Sequence, residues 1–127
     1  MVIDIFTKCM AVIGLTHKKA EDIVKALKES FGPGHMDGKP EVIYSDREGG
    51  LYSNVGKEFF EQEGIKWIIT QGHAPVAERA IRTFKALVYD KIETLGNNRP
   101  KDWYDYREAS LRKYNHKMIH SSIDMTP

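Results

Sequence analysis

Glu78, Arg82 and Lys85 stand at i, i+4 and i+7 in the stretch HAPVAERAIRTFK, residues 73 to 85. On a helix such residues share one stripe. Pro75 suits a first helical position, so the stripe starts with a carboxylate in the first turn and continues with two cations. Asp46 is the second carboxylate of interest, 32 positions earlier and just after the apolar run EVIYS. Ligands gather at the carboxyl ends of strands in α/β sheets. A strand-end aspartate and a helix-start glutamate facing one another would offer oxygen ligands of the kind Mg²⁺ and Mn²⁺ prefer. Metal ions held by carboxylates support phosphoryl transfer, and the cations beyond Glu78 would then lie under a phosphate backbone. Each residue also has a plainer reading. An acid at a helix start meets the positive end of the dipole, and an aspartate after a strand is a common turn residue. Spacing alone leaves both open.

Several elements must position these groups. Residues 2–6 and 10–15 read as short strands joined through Thr7-Lys8-Cys9. Residues 18–31 read as a helix with Ala20, Ile23, Val24, Leu27 and Phe31 on one face. Residues 41–45 read as a strand, Arg47 to Leu51 as a turn, and 54–63 as a helix capped by Ser53 and stopped by Gly64. A strand at 65–70 and a long helix over 76–96 follow, with Ala77, Ala80, Ile81, Phe84, Leu87, Val88, Ile92 and Leu95 at helical spacing. A last helix spans 101–119 with Trp103, Tyr106, Tyr114 and Met118 inward. Strands alternating with helices define an α/β architecture, and the crossover between strands 41–45 and 65–70 makes them parallel neighbours.

The 127 residues suffice for one domain, and 41% hydrophobic with 29% charged is an ordinary globular balance. No apolar run is long enough to span a membrane, and MVIDIFTKCM lacks the pattern of a signal peptide. The lone Cys9 excludes an internal disulfide and a Cys-based zinc site, and fits a reducing, intracellular compartment. The net charge of +1 is unevenly spread: residues 1–75 carry 9 Lys/Arg against 11 Asp/Glu, and residues 76–119 carry 10 against 6. A basic C-terminal half suits a polyanion, although on charge alone a solvated helix surface is the plainer explanation.

Four stretches, VIDIFTKCMAVIGL, YSDREGGLYSN, IKWIITQGHAPVAERAIRTFK and YNHKMIHSSIDMTP, resemble retroviral-type integrases, above all those of Maverick or Polinton-like DNA transposons. The resemblance runs in order over the whole chain. It implies a ribonuclease H-like fold, a mixed sheet with flanking helices, forming a single, partial integrase core over residues 1–127. It implies a DDE-type polynucleotidyl transferase that joins element DNA to target DNA with two Mg²⁺ or Mn²⁺ ions. By resemblance Asp46 and Glu78 are catalytic metal ligands. Arg82 and Lys85, with Arg79 and His73 beside them, are nucleic-acid contacts, and Gln71 to Pro75 form the active-site loop. It further implies a homo-oligomer, DNA as partner, no membrane, and the nucleus as location in a eukaryote. Arg47-Glu48-Gly49 departs from the Asp-x-Gly that many relatives carry there, so the turn after Asp46 is expected to be shaped differently.

The family needs a third carboxylate, on its first strand. Asp4 is the obvious candidate, but only 14 positions separate it from Lys18, near the first helix. The fold needs two further strands there, and each takes about 7–10 residues with its turn. VIDIFTKCMAVIGL instead resembles the second and third strands. The expectation is therefore an N-terminally truncated core, ending at a Met-Thr-Pro beyond which relatives continue, without a zinc-binding His/Cys module and with little or no activity. The competing expectation is a non-catalytic nucleic-acid-binding module that keeps the basic helix. His116 and His120 have a metal-compatible spacing without a third ligand. Trp67 and Trp103 read as core residues, and Cys9 as a strand residue with no activating base.

Overall fold

The computed structural model describes residues 1–72, 74–94, 102–120 and 123–127. The described chain forms two compact units: Met1–Val12 with Val76–Pro127, and Ile13–Pro75.

In the first unit, strands β1 (Val2–Ile3) and β2 (Met10–Ala11) pair antiparallel, with Ile3 opposite Met10. Both are shorter than the sequence suggests, and the connection is longer. The reason is Asp4. Its carboxylate Oδ1 accepts the backbone N–H of Phe6 at 2.8 Å and of Thr7 at 3.4 Å, the local bond that turns a chain out of a strand. Lys8 then takes a left-handed φ of 63°, and the strand resumes at Met10. Ile5 and Phe6 are left exposed on this loop.

Helix α4 (Pro75–Thr94) places Ala80, Phe84 and Val88 in a core shared with Met10, Val12, Tyr106 and Tyr114. Ile81, expected on the same face, is 36% exposed, because the apolar spacing of the sequence is wider than the buried stripe. The last predicted helix is two elements, a 3₁₀ turn (Trp103–Tyr106) and helix α5 (Arg107–His116). Asp102 starts the turn by accepting the N–H of Tyr104 at 3.1 Å. Tyr106 and Tyr114 point inward as expected, whereas Trp103 is 45% exposed and packs edge-on against Tyr104. The tighter 3₁₀ turn rotates it away from the face that a continuous α-helix would have given it.

In the second unit, helix α1 (Ala20–Ser30) lies against the short helix α2 (Gly49–Tyr52) and against α3 (Asn54–Glu63). Strands β3 (Val42–Ser45) and β4 (Lys66–Ile69) pair parallel over four residues, Val42 opposite Lys66 through Ser45 opposite Ile69. Helix α3 has the expected ends. Ser53 Oγ accepts the Gly56 N–H at 3.3 Å, and Gly64 closes the helix at a φ of 67°, which its missing Cβ permits. Leu51, Phe59, Phe60 and Ile65 form the core, flanked by Ile23, Leu27 and Trp67. Trp67 is a packing residue, stacked on Phe60 at 5.0 Å.

Candidate metal and nucleic-acid site

Asp46 follows β3 directly and is exposed at the carboxyl end of the parallel pair. Its backbone carbonyl accepts from Ser45 Oγ at 2.8 Å and from the Glu48 N–H at 2.9 Å. Two bonds to its carbonyl fix the backbone, while its carboxylate makes no hydrogen bond or ion pair among the described residues. The atypical Arg47-Glu48 pair leads straight into α2, so the expected turn is a short helix instead. Glu48 holds an extended backbone as N-cap, and Gly50 lets α2 lie close against α1, where a Cβ would stand 2.5 Å from Ile23 Cδ1.

Glu78 lies in the first turn of α4 and is exposed. At about 100° per residue, Arg82 and Lys85 come round to within about 40° of Glu78, and all three are exposed. Ala80 and Phe84 are turned about 160° and about 120° from Glu78 and Val88 about 80°, and all three are buried. One helix thus carries a core face and, away from it, the expected acid-then-base stripe. Arg82 and Lys85 have no ion-pair partner among the described residues.

Arg79 belongs elsewhere. One residue beyond Glu78 it is turned by about 100°, and it lines a cavity of about 130 Å³ with Ile3, Lys8, Thr83, Tyr114 and His120. This cavity escaped sequence reading because its basic side chains, Lys8, Arg79 and His120, come from a hairpin loop, a helix and the C-terminal segment. Lys8 Nζ donates to the Ile5 carbonyl within that loop. His120 sits edge-on to the Tyr114 ring at 4.4 Å, with Nε2 3.1 Å from the Tyr114 carbonyl. That bond gives His120 a structural place, and His116 ends α5 exposed. Burial, and then the neighbouring Asp4 carboxylate, push the Cys9 thiol up, which keeps it protonated and unreactive. Burial, with Cys9 second, likewise raises Tyr114. His73 lies outside the described residues.

Among the described residues, no three His, Cys, Asp or Glu side chains gather as a metal site. The carboxylates suit Mg²⁺ in kind but fall short in number. Asp4 Oδ1 is engaged by the N–H groups of Phe6 and Thr7 in its own loop.

Structural comparison defines the class of the fold. The chain is similar to the catalytic core of HTLV-2 integrase, solved with magnesium in a trimeric form, at a TM-score of 0.81 and 18% identity. That match covers 98% of this chain and 77% of the other. It is similar to a chain of a simian T-cell lymphotropic virus intasome, solved in complex with PP2A regulatory subunit B56 gamma, at a TM-score of 0.83 and 16% identity, over 98% of this chain and 44% of that one. The core of BIV integrase matches at 0.65 and 13% identity, over 85% and 68% of the two chains. No protein-family model and no curated protein matches the chain. The fold is the ribonuclease H-like fold of retroviral integrase catalytic cores. Among the described residues no helix is long and apolar enough to cross a membrane.

Proposed function

We propose that this chain is part of an integrase-type core that joins DNA by metal-dependent polynucleotidyl transfer, of the kind found in Maverick or Polinton-like transposons. Asp46 and Glu78 are its metal carboxylates, and Arg82 and Lys85 hold the DNA backbone. The observation that carries this is the solvent stripe of α4, an acid in the first turn followed by two cations with no ion-pair partner among the described residues, on a helix that also carries a buried face. The likeness to integrase cores supports this reading, and HTLV-2 integrase cores solved with magnesium give a precedent for the ion. On this reading the molecule is a single core domain that works as a homo-oligomer on element and target DNA, in the nucleus if the source is a eukaryote. On this reading Asp4 is not the third carboxylate, which is supported by the engagement of its Oδ1 with the N–H groups of its own loop.

The metal reading is checked by calorimetric titration of Mn²⁺. Weak binding is expected, abolished by Asp46→Asn and unchanged by Asp4→Asn. Tight binding lost with Asp4→Asn would overturn the assignment of Asp4. DNA joining by the 127-residue chain is expected to be slight. Clear strand transfer that disappears in Asp46→Asn would show that the carboxylate set is complete without another strand.

The DNA reading is checked by duplex affinity against salt. In Arg82→Gln/Lys85→Gln the slope of log K on log salt should become shallower by about 1.8, at about 0.9 per lost phosphate contact. An unchanged slope would remove the stripe from the interface. A second reading, a non-catalytic nucleic-acid-binding module, is favoured by the lack of any three-ligand cluster among the described residues. It predicts the same salt slope, with Mn²⁺ having no effect on any property of the chain.

A further inference from the structure

Beside Asp46 the second unit assembles a pair of cations that the reading above does not use. Tyr52 ends α2 with 41% of its surface exposed. The Arg47 guanidinium carbon lies 4.6 Å from the Tyr52 ring centre, and Lys57 Nζ lies 4.4 Å from it. Arg47 Nη2 also donates to the Tyr52 hydroxyl at 3.3 Å. The two cations are therefore within about 9 Å of one another, a range at which like charges repel. Neither has a carboxylate partner among the described residues, whereas Lys28 and Lys39 both reach Glu63. An aromatic ring holds a cation by its quadrupole and leaves the charge in place, where a carboxylate would cancel it.

The ring is braced from behind. Tyr52 packs edge-on against Trp67 at 6.1 Å, and Trp67 stacks on buried Phe60. Trp67 Nε1 donates to Ser45 Oγ at 2.8 Å, and the same hydroxyl donates to the Asp46 carbonyl. One chain of contacts thus links the cation mount to the backbone of Asp46.

We propose that Arg47 and Lys57, mounted on Tyr52, form a phosphodiester clamp that holds a DNA backbone beside Asp46. This rests on the DNA reading and adds a contact surface on a different unit from α4. The chemistry suits a phosphodiester: the planar guanidinium presents paired donors to two phosphate oxygens, and the ammonium adds a point charge. Phosphates of one strand recur at about 3.4 Å along the duplex axis, so cations this close serve neighbouring nucleotides. Because cations already cover the ring, it is not an open platform for a base. The contact is with the backbone and independent of sequence.

The test uses the whole chain with Arg47→Gln, Lys57→Gln and the double variant, each with duplexes of several sequences over a salt series. The slope of log K on log salt should become shallower by about 0.9 in each single variant and about 1.8 in the double, equally for all duplexes. Arg47→Lys, which keeps the charge, should retain the slope, and it replaces the double if the latter fails to fold. A slope unchanged by Arg47→Gln and Lys57→Gln but lowered by Arg82→Gln/Lys85→Gln would overturn the clamp and leave the DNA reading standing. Loss of melting temperature with no change of slope would likewise overturn it, showing that the cations only cover the aromatic cluster. No salt-dependent binding by the unaltered chain would overturn both.

Discussion

Gly56→Ala is expected to lower the melting temperature by about 10 °C or more, the largest single effect in the Ile13–Pro75 unit. A Cβ at this position would stand 2.1 Å from the Leu51 carbonyl oxygen and 2.6 Å from its carbon. Both are backbone atoms, so no rotamer change relieves the contact. Alanine gains about 1 kcal/mol of helix propensity over glycine, but the clash is larger. To escape it, α2 must withdraw from α3. That pulls Leu51 from the core it shares with Phe59, Phe60 and Ile65. It also breaks the Ser53 cap, whose hydroxyl donates to the Gly50 carbonyl at 2.6 Å while accepting from Gly56. Overpacking of this kind costs about 1–3 kcal/mol or more, and loss of the cap about 1 kcal/mol. Circular dichroism melting of the variant decides it. A midpoint within about 2 °C of the unaltered chain would mean that the two helices do not meet at Gly56 as closely as described.

Asn115→Leu should destabilise the other unit by about 3–4 kcal/mol. Met10 is fully buried, and both of its backbone polar groups are satisfied by this one side chain. Asn115 Oδ1 accepts the Met10 N–H at 3.0 Å, and Nδ2 donates to the Met10 carbonyl at 2.9 Å. Asn115 thus stands where a further strand would pair with β2. Leucine keeps the volume and removes both partners, leaving a buried donor and a buried acceptor at about 1–3 kcal/mol each. Hydrogen exchange separates this from a general loss of packing. The Met10 amide is expected to be protected in the unaltered chain and to exchange far faster in the variant. Equal protection in both would show that the Asn115 contact does not hold the strand.

Residues that act on near neighbours are legible in the sequence itself. Ser53 and Gly64 bracket α3 because a cap and a left-handed stop depend on bonds within one helical turn. The stripe of Glu78, Arg82 and Lys85 follows from helical periodicity, and the parallel pairing of β3 with β4 from an intervening helix. The α/β class is legible in the same way, element by element, and the integrase-like fold through the resemblance of four separate stretches. Asp4 is legible only in part. Its distance from the first helix argues against a catalytic place, but the loop that it caps, which shortens β1 and β2, emerges only from the three-dimensional hydrogen bonds.

Contacts between distant positions are hidden. Met10 and Asn115 are 105 positions apart, and no period in the sequence joins them. Charge groups Arg79 with Arg82 and Lys85, yet its place on the helix sends it to the cavity with Lys8 and His120. Helical spacing gives Trp103 an inward face that the 3₁₀ turn denies it. Local pattern is enough to set the kinds of element, their order and the chemistry available at Asp46 and along α4. Those depend on backbone bonds and side-chain periods that act over a few residues. Tertiary packing alone selects which cations stand together on Tyr52, which are drawn into a cavity and which polar side chain seals β2. Those pairings are set by burial and packing between segments far apart in the chain, whose local patterns carry no record of the partner.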